Sequence, residues 1–188
     1  MSALGREAPV DQRPPRGQLQ TCGRRLRLAR MAIDNSHHRP TFRRASREDL
    51  PDVVALLAHD ALGATREDPS LPLDTRYTAA FEAIDKDANQ FLIVAEDKGK
   101  IVGCLQLTFI PGLSRTGMWR GQIEAVRIAA SQRGAGVGRA MVLFAVEECR
   151  RRGCGLVQLT TDQTRPDAHR FYAALGFAPT HIGMKLAL

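Results

Sequence analysis

The chain has 188 residues and a mass of 20.7 kDa, enough for one domain with a sizeable core and too few for two full ones. Its 44% hydrophobic and 25% charged residues permit a packed core and exclude wholesale disorder. No apolar run approaches the ~20 residues of a membrane-spanning helix, and the N-terminal region lacks a secretory apolar stretch.

The formal charge of +7 is unevenly placed. Residues 1–30 carry Arg6, Arg13, Arg16, Arg24, Arg25, Arg27 and Arg30 against Glu7 and Asp11, a net +5 that leaves +2 for residues 31–188. A basic arm is one way to meet nucleic acid. Here the excess belongs to a stretch with Pro9, Pro14, Pro15, Gly5, Gly17 and Gly23 and few large apolar residues. Residues 1–39 therefore read as a disordered basic tail, and a nucleic-acid partner is not expected. Cys22, Cys104, Cys149 and Cys154 form no Cys-x-x-Cys pair, and no histidine has a partner at ligand spacing, which points to a reducing, cytoplasmic setting without a metal site.

From Pro40 the pattern becomes that of a folded domain, taken to run over residues 40–188. Thr41–Ala45 reads as a first strand. Ser46, Asp49 and Pro51 make a helix start, followed by Leu50, Val53, Val54, Leu57, Ala58 and Ala61 at helical spacing up to Gly63. A polar loop over Ala64–Arg76 precedes a second helix, Tyr77–Ala88. Phe91–Ala95 and Ile101–Leu107 form a hairpin around Gly99. A loop from Pro111 to Gly121, carrying Trp119, leads to a strand over Gln122–Ala129. A glycine-rich turn then opens an amphipathic helix that ends in Arg150–Arg152 and Gly153. Leu156–Thr160 reads as a strand, Pro166–Leu175 as a helix and Thr180–Leu186 as short closing strands. The whole is a single α/β domain, a mixed and mostly antiparallel sheet of about six to seven strands with about four helices.

The turn Gln132-Arg133-Gly134-Ala135-Gly136-Val137-Gly138-Arg139 sits between a strand and a helix. Glycines let backbone N–H groups approach an anion closely, and a helix N-terminus adds about half a positive charge. No Gly-Lys-Ser/Thr follows, which excludes a Walker loop, and the Gly-x-Gly-x-Gly spacing does not fit the dinucleotide fingerprint. Arg133-x-x-Gly136-x-Gly138, with Ala168-x-x-Phe171-Tyr172-x-x-x-Gly176-Phe177 downstream, resembles the two signature motifs of the GNAT N-acetyltransferase superfamily, and the element order from Thr41 to Leu188 resembles that family as well. Many members carry Asn seven residues before the tyrosine, where this chain has Arg165.

The resemblance implies an enzyme that moves the acetyl group of acetyl-CoA to a primary amine by direct attack in a ternary complex. It places the cofactor's diphosphate on Arg133, Gly134, Ala135, Gly136, Val137, Gly138 and Arg139, and its pantetheine along Val126, Arg127 and Ile128, with a bulge splaying that strand from the next. It makes Tyr172 the general acid for the departing thiolate and the Ile128 N–H the oxyanion donor. Glu124, an acid in an otherwise apolar strand, is the candidate base; a carboxylate on the sheet's polar face is the competing reading. Glu67 and Asp68, with Asp74 nearby, and Trp119 are candidates for binding a small-molecule or peptide amine. A homodimer is compatible with the resemblance. The reading in a different class is a catalytically silent acyl-CoA-binding or nucleic-acid-associated module on the same fold.

Overall fold

The computed structural model describes residues 40–59 and 63–187; the expected basic tail and the end of the first helix at Ala61 lie outside them. Strand β1 (Thr41–Arg44) leads through a 3-10 turn (Arg47–Asp49) into α1 (Leu50–Ala58). After α2 (Thr75–Lys86) come β2 (Gln90–Asp97), β3 (Lys100–Ile110), a single turn α3 (Ser114–Gly117) and β4 (Arg120–Ile128). The chain closes with α4 (Val137–Arg151), β5 (Leu156–Leu159) and α5 (Pro166–Ala174). One sheet of order β1-β2-β3-β4-β5 results, antiparallel throughout except for the parallel pair β4–β5.

Alternation along the strands sorts side chains to two faces. Ile93, Leu105, Leu107, Phe109 and Ile123 point to one face and pack with Val137, Met141, Val142, Ala145 and Cys149 of α4 in a fully buried cluster. Leu92, Val94 and Cys104 point to the other and pack under α1 and α2 through Val53, Val54 and Phe81. Gly121 allows α4 to approach β4 closely, because a Cβ there would collide with Cys149 Sγ. No described helix is long and apolar enough to cross a membrane.

The sheet has five strands, fewer than the sequence reading foresaw. The difference lies at the C-terminus. Ile182, Met184 and Leu186 alternate as strand residues do, yet they stay 80%, 91% and 87% exposed and no ladder forms, since alternation sets a side-chain pattern but pairing needs a partner. The one-turn α3, with left-handed Arg115 and Thr116, is a fifth helical element inside the expected Pro111–Gly121 loop. α2 starts before Tyr77 because the Asp74 carboxylate caps it, accepting from Arg76 N–H at 2.8 Å.

Asp49 ties the first turn of this frame. Its buried carboxylate accepts from Arg43 Nη1 and Nη2 at 2.6 and 2.9 Å, from Ser46 N–H at 2.7 Å and from Ser46 Oγ at 3.1 Å. The Arg43 guanidinium, helped by Ser46, holds the carboxyl at about 2, below its ordinary 3.8. Asp49→Ala is expected to cost roughly 2–3 kcal/mol of unfolding free energy in a urea titration at pH 7. A carboxyl whose native pKa is depressed stabilises fully above its unfolded value, so the gap between wild type and variant should shrink as pH falls from about 4 toward 2.

Candidate active site

Strand β4 changes partner halfway along. From Arg120 to Ile123 it is paired on both sides, with β3 and with Leu156–Leu159 of β5. At Ala125 the register against β3 slips by one residue, Cys104 facing Arg127 while Gln106 faces Glu124, and Ala125 takes a left-handed φ of 53°. This is the bulge that the family resemblance implied, and beyond Ile123 no pairing with β5 continues. Residues Glu124–Ile128 thus keep β3 on one side and an open edge on the other. Ala129 N–H donates to Val102 O on β3 at 2.8 Å, so by alternation the Ile128 N–H faces the open edge.

At the end of that edge lies the glycine turn. Gly136 is the N-cap of α4 and, like Gly134, adopts a left-handed conformation, with φ of 82° and 80°. Two of the seven amides from Arg133 to Arg139 are spent inside the turn: Arg133 N–H donates to Ala130 O at 3.3 Å and Ala135 N–H to Gln132 O at 3.4 Å. The helix ladder begins only at Ala140, whose N–H donates to Gly136 O. The N–H groups of Gly134, Gly136, Val137, Gly138 and Arg139 have no acceptor among the described residues. They border a cavity of about 400 Å³ lined by Ile128, Gln132, Arg133, Gly134, the first turn of α4 and, from α5 and its end, Phe171, Ala174 and Leu175. Arg133 and Arg139 are exposed at its margins. Free backbone donors at a helix N-terminus between two arginines suit a diphosphate, so the residues present fit acetyl-CoA.

Tyr172, on α5, is half-buried, edge-on to Phe171 at 5.0 Å and to Phe177 at 5.9 Å. Burial pushes its phenol above the ordinary value, partly offset by the positive charges of Arg165 and Arg127. Its hydroxyl has no hydrogen-bond partner among the described residues. Such a phenol stays protonated and keeps its proton available. Arg165, at the position where the chain departs from the family pattern, precedes α5 as its N-cap and brings a cation toward Tyr172.

Glu124 lies exposed on β4 beside the bulge, on the face that carries Gln106. The candidates for binding the amine sit on other elements, Glu67 and Asp68 in the loop before α2 and Trp119 just before β4. Glu67 Oε2 accepts from Tyr77 Oη at 2.9 Å, and the Asp68 backbone N–H donates to Tyr77 Oη at 3.0 Å, so both residues hold the loop to α2. Asp74 is engaged by Arg76. Trp119 precedes the far end of β4, about 20 Å of strand from Ala125 at 3.3 Å per residue, and its carbonyl accepts from Gly155 N–H. Sequence reasoning missed Gln132 and Phe171 as cavity walls: Phe171 Cζ comes within 3.7 Å of a Cβ built on Gly138, a contact that only the packing of α5 on α4 creates. Cys104 is not a nucleophile, because burial pushes its thiol up to about 12.

The sequence pattern of the Acetyltransferase (GNAT) family matches residues 55–177, about two-thirds of the chain. The chain belongs to this family. An aminoalkylphosphonate N-acetyltransferase of Salmonella typhimurium is 30% identical over 150 residues, 78% of this chain and 90% of that protein. A solved structure from Bacillus halodurans, described as a transcriptional regulator, is 48% identical, covers 79% of this chain and 99% of its own, and matches with a TM-score of 0.78. A putative acetyltransferase from Agrobacterium tumefaciens is 30% identical over the same shares, with a TM-score of 0.71. The GNAT chain is thus an acetyltransferase whose motif residues frame the cavity and the open strand edge.

Proposed function

We propose that this acetyltransferase transfers the acetyl group of acetyl-CoA to the primary amine of a small-molecule acceptor by direct attack in a ternary complex. The observation that carries the reading is the set of unspent N–H groups of Gly134, Gly136, Val137, Gly138 and Arg139, which border a cavity of about 400 Å³ at the Ile128 end of the unpaired edge of β4. The similarity to an aminoalkylphosphonate N-acetyltransferase over most of both chains supports a small acceptor.

Bound acetyl-CoA supplies an activated acyl carbon; the chain supplies position and proton traffic. The amides of Gly134, Gly136, Val137, Gly138 and Arg139 hold the diphosphate, and Val126–Ile128 act as the strand against which the pantetheine extends. The Ile128 N–H steadies the acyl oxygen as charge builds on it. A lysine-like amine of pKa ~10.4 costs about 4–5 kcal/mol to neutralise at pH 7, and Glu124 takes that proton directly or through a water. As the new C–N bond forms and the C–S bond breaks, Tyr172 gives its proton to the departing sulfur, and the second proton shed by the acylated nitrogen restores the phenol through water.

Thiol release measured with acetyl-CoA and a panel of small amines, peptide amines and polyamines tests this. Turnover is expected with a small amine at a rate that depends on its concentration together with that of acetyl-CoA, in sequential kinetics. Ping-pong kinetics would overturn direct attack. No release with any amine would leave the silent acyl-CoA-binding module as the better account.

A further inference from the structure

The sheet face that carries Glu124 is apolar only where α1 and α2 cover it. Beyond Leu92, Val94 and Cys104 the same face turns polar, and its residues fall into straight rows across the strands. Gln90, Thr108, Gln122 and Gln158 stand side by side on β2, β3, β4 and β5, and the next row, Gln106 beside Glu124, abuts the bulge. Four of the six glutamines after residue 39 occupy this patch, and all five neutral side chains in the two rows are half-buried. They are linked pairwise. Gln90 Oε1 accepts from Gln106 Nε2 at 3.1 Å and from Thr108 Oγ1 at 2.9 Å, while Gln122 Oε1 accepts from Gln158 Nε2 at 2.7 Å.

These bonds fix the amides and leave each with an end to spare. Gln90 Nε2 and Gln122 Nε2 remain as donors, and Gln106 Oε1 and Gln158 Oε1 as acceptors, with no partner among the described residues. Donors and acceptors alternate over neighbouring strands ~4.8 Å apart, and the first row lies about 7 Å from Glu124 along β4. A hydroxyl both donates and accepts, so a surface of fixed, alternating amide ends suits a chain or ring of hydroxyl groups. A lone cation or a peptide's apolar side chains would leave those ends unsatisfied.

We propose that this amide platform is the floor of the acceptor site and that it selects a small primary amine bearing several hydroxyl groups, of the aminopolyol or amino-sugar class. The inference rests on the transferase reading and names its acceptor. The platform binds and orients; Gln106 and Gln122 are specificity-determining residues and take no proton.

The test uses the full chain with glucamine and n-hexylamine, which share a carbon skeleton and differ in the hydroxyl groups. Gln106→Met and Gln122→Met keep side-chain length and remove the hydrogen bonds. Each is expected to raise the KM for glucamine about ten-fold or more while leaving kcat/KM for n-hexylamine and the KM for acetyl-CoA within about two-fold, since a site built for hydroxyls loses most when its polar partners vanish. An equal loss with both amines, or no loss with glucamine, overturns the proposal, as does wild-type preference for n-hexylamine. Should no amine be acetylated, the transferase reading fails separately, and calorimetric titration of glucamine into the CoA-saturated protein decides this one: binding weakened by either variant upholds the platform, and absent binding overturns it.

Discussion

Gly136→Glu is expected to abolish acetyl-CoA binding, with a loss of more than about 100-fold in affinity, or about 2.7 kcal/mol, in titration calorimetry. Gly136 is exposed, and a Cβ built on it meets nothing within 4 Å, so the larger side chain has room. Its left-handed φ of 82° charges a non-glycine residue only about 1–2 kcal/mol, too little to unfold the domain. What the substitution adds is a carboxylate at the start of α4, where the unspent amides await an anion. That carboxylate takes those donors for itself and repels the diphosphate. Gly136→Asn separates the two effects, because asparagine tolerates the left-handed region and brings no charge; it is expected to keep affinity within about ten-fold of wild type. Wild-type affinity in the glutamate variant would show that the amides of this turn do not hold the diphosphate.

The glycine turn was legible because its chemistry is local: three glycines at alternate positions opening a helix can be read without knowing the rest of the molecule. The central hairpin, the helix after the turn and the crossover to β5 were legible for the same reason, each carried by its own periodicity. Around Trp119 and Glu67 the legible part ends. The bond between Glu67 and a tyrosine on the next helix, and the one between the Trp119 carbonyl and Gly155, join segments that no local pattern links. The polar rows across β2 to β5 were invisible for a stronger reason. Gln90, Gln106, Gln122 and Gln158 are spaced sixteen residues apart or more, and only the strand register aligns them. The C-terminal alternation of Ile182, Met184 and Leu186 is the converse case, a strand pattern with no strand beside it to pair.

For Tyr172→Phe we expect kcat to fall by about 100-fold or more, within the range of general-acid contributions, with the KM for acetyl-CoA changed by less than about two-fold. The substitution isolates the hydroxyl. Phenylalanine keeps the ring against Phe171 and Phe177, and the lost hydroxyl had no protein partner among the described residues, so the unfolding midpoint should stay nearly constant. The pH profile supplies a readout that a packing role would not move. Burial holds the phenol above its ordinary value of 10.0, so wild-type activity should persist through neutral and mildly basic pH and decline only as Tyr172 ionises. That basic limb should vanish in the phenylalanine variant, whose residual rate reflects loss of the thiolate to water alone. Arg165→Gln removes one of the two charges that pull Tyr172 downward, and so should move the limb to higher pH while leaving the tyrosine in place. An unchanged kcat in Tyr172→Phe, or a basic limb that persists without the phenol, would assign the proton of the departing thiol to another donor.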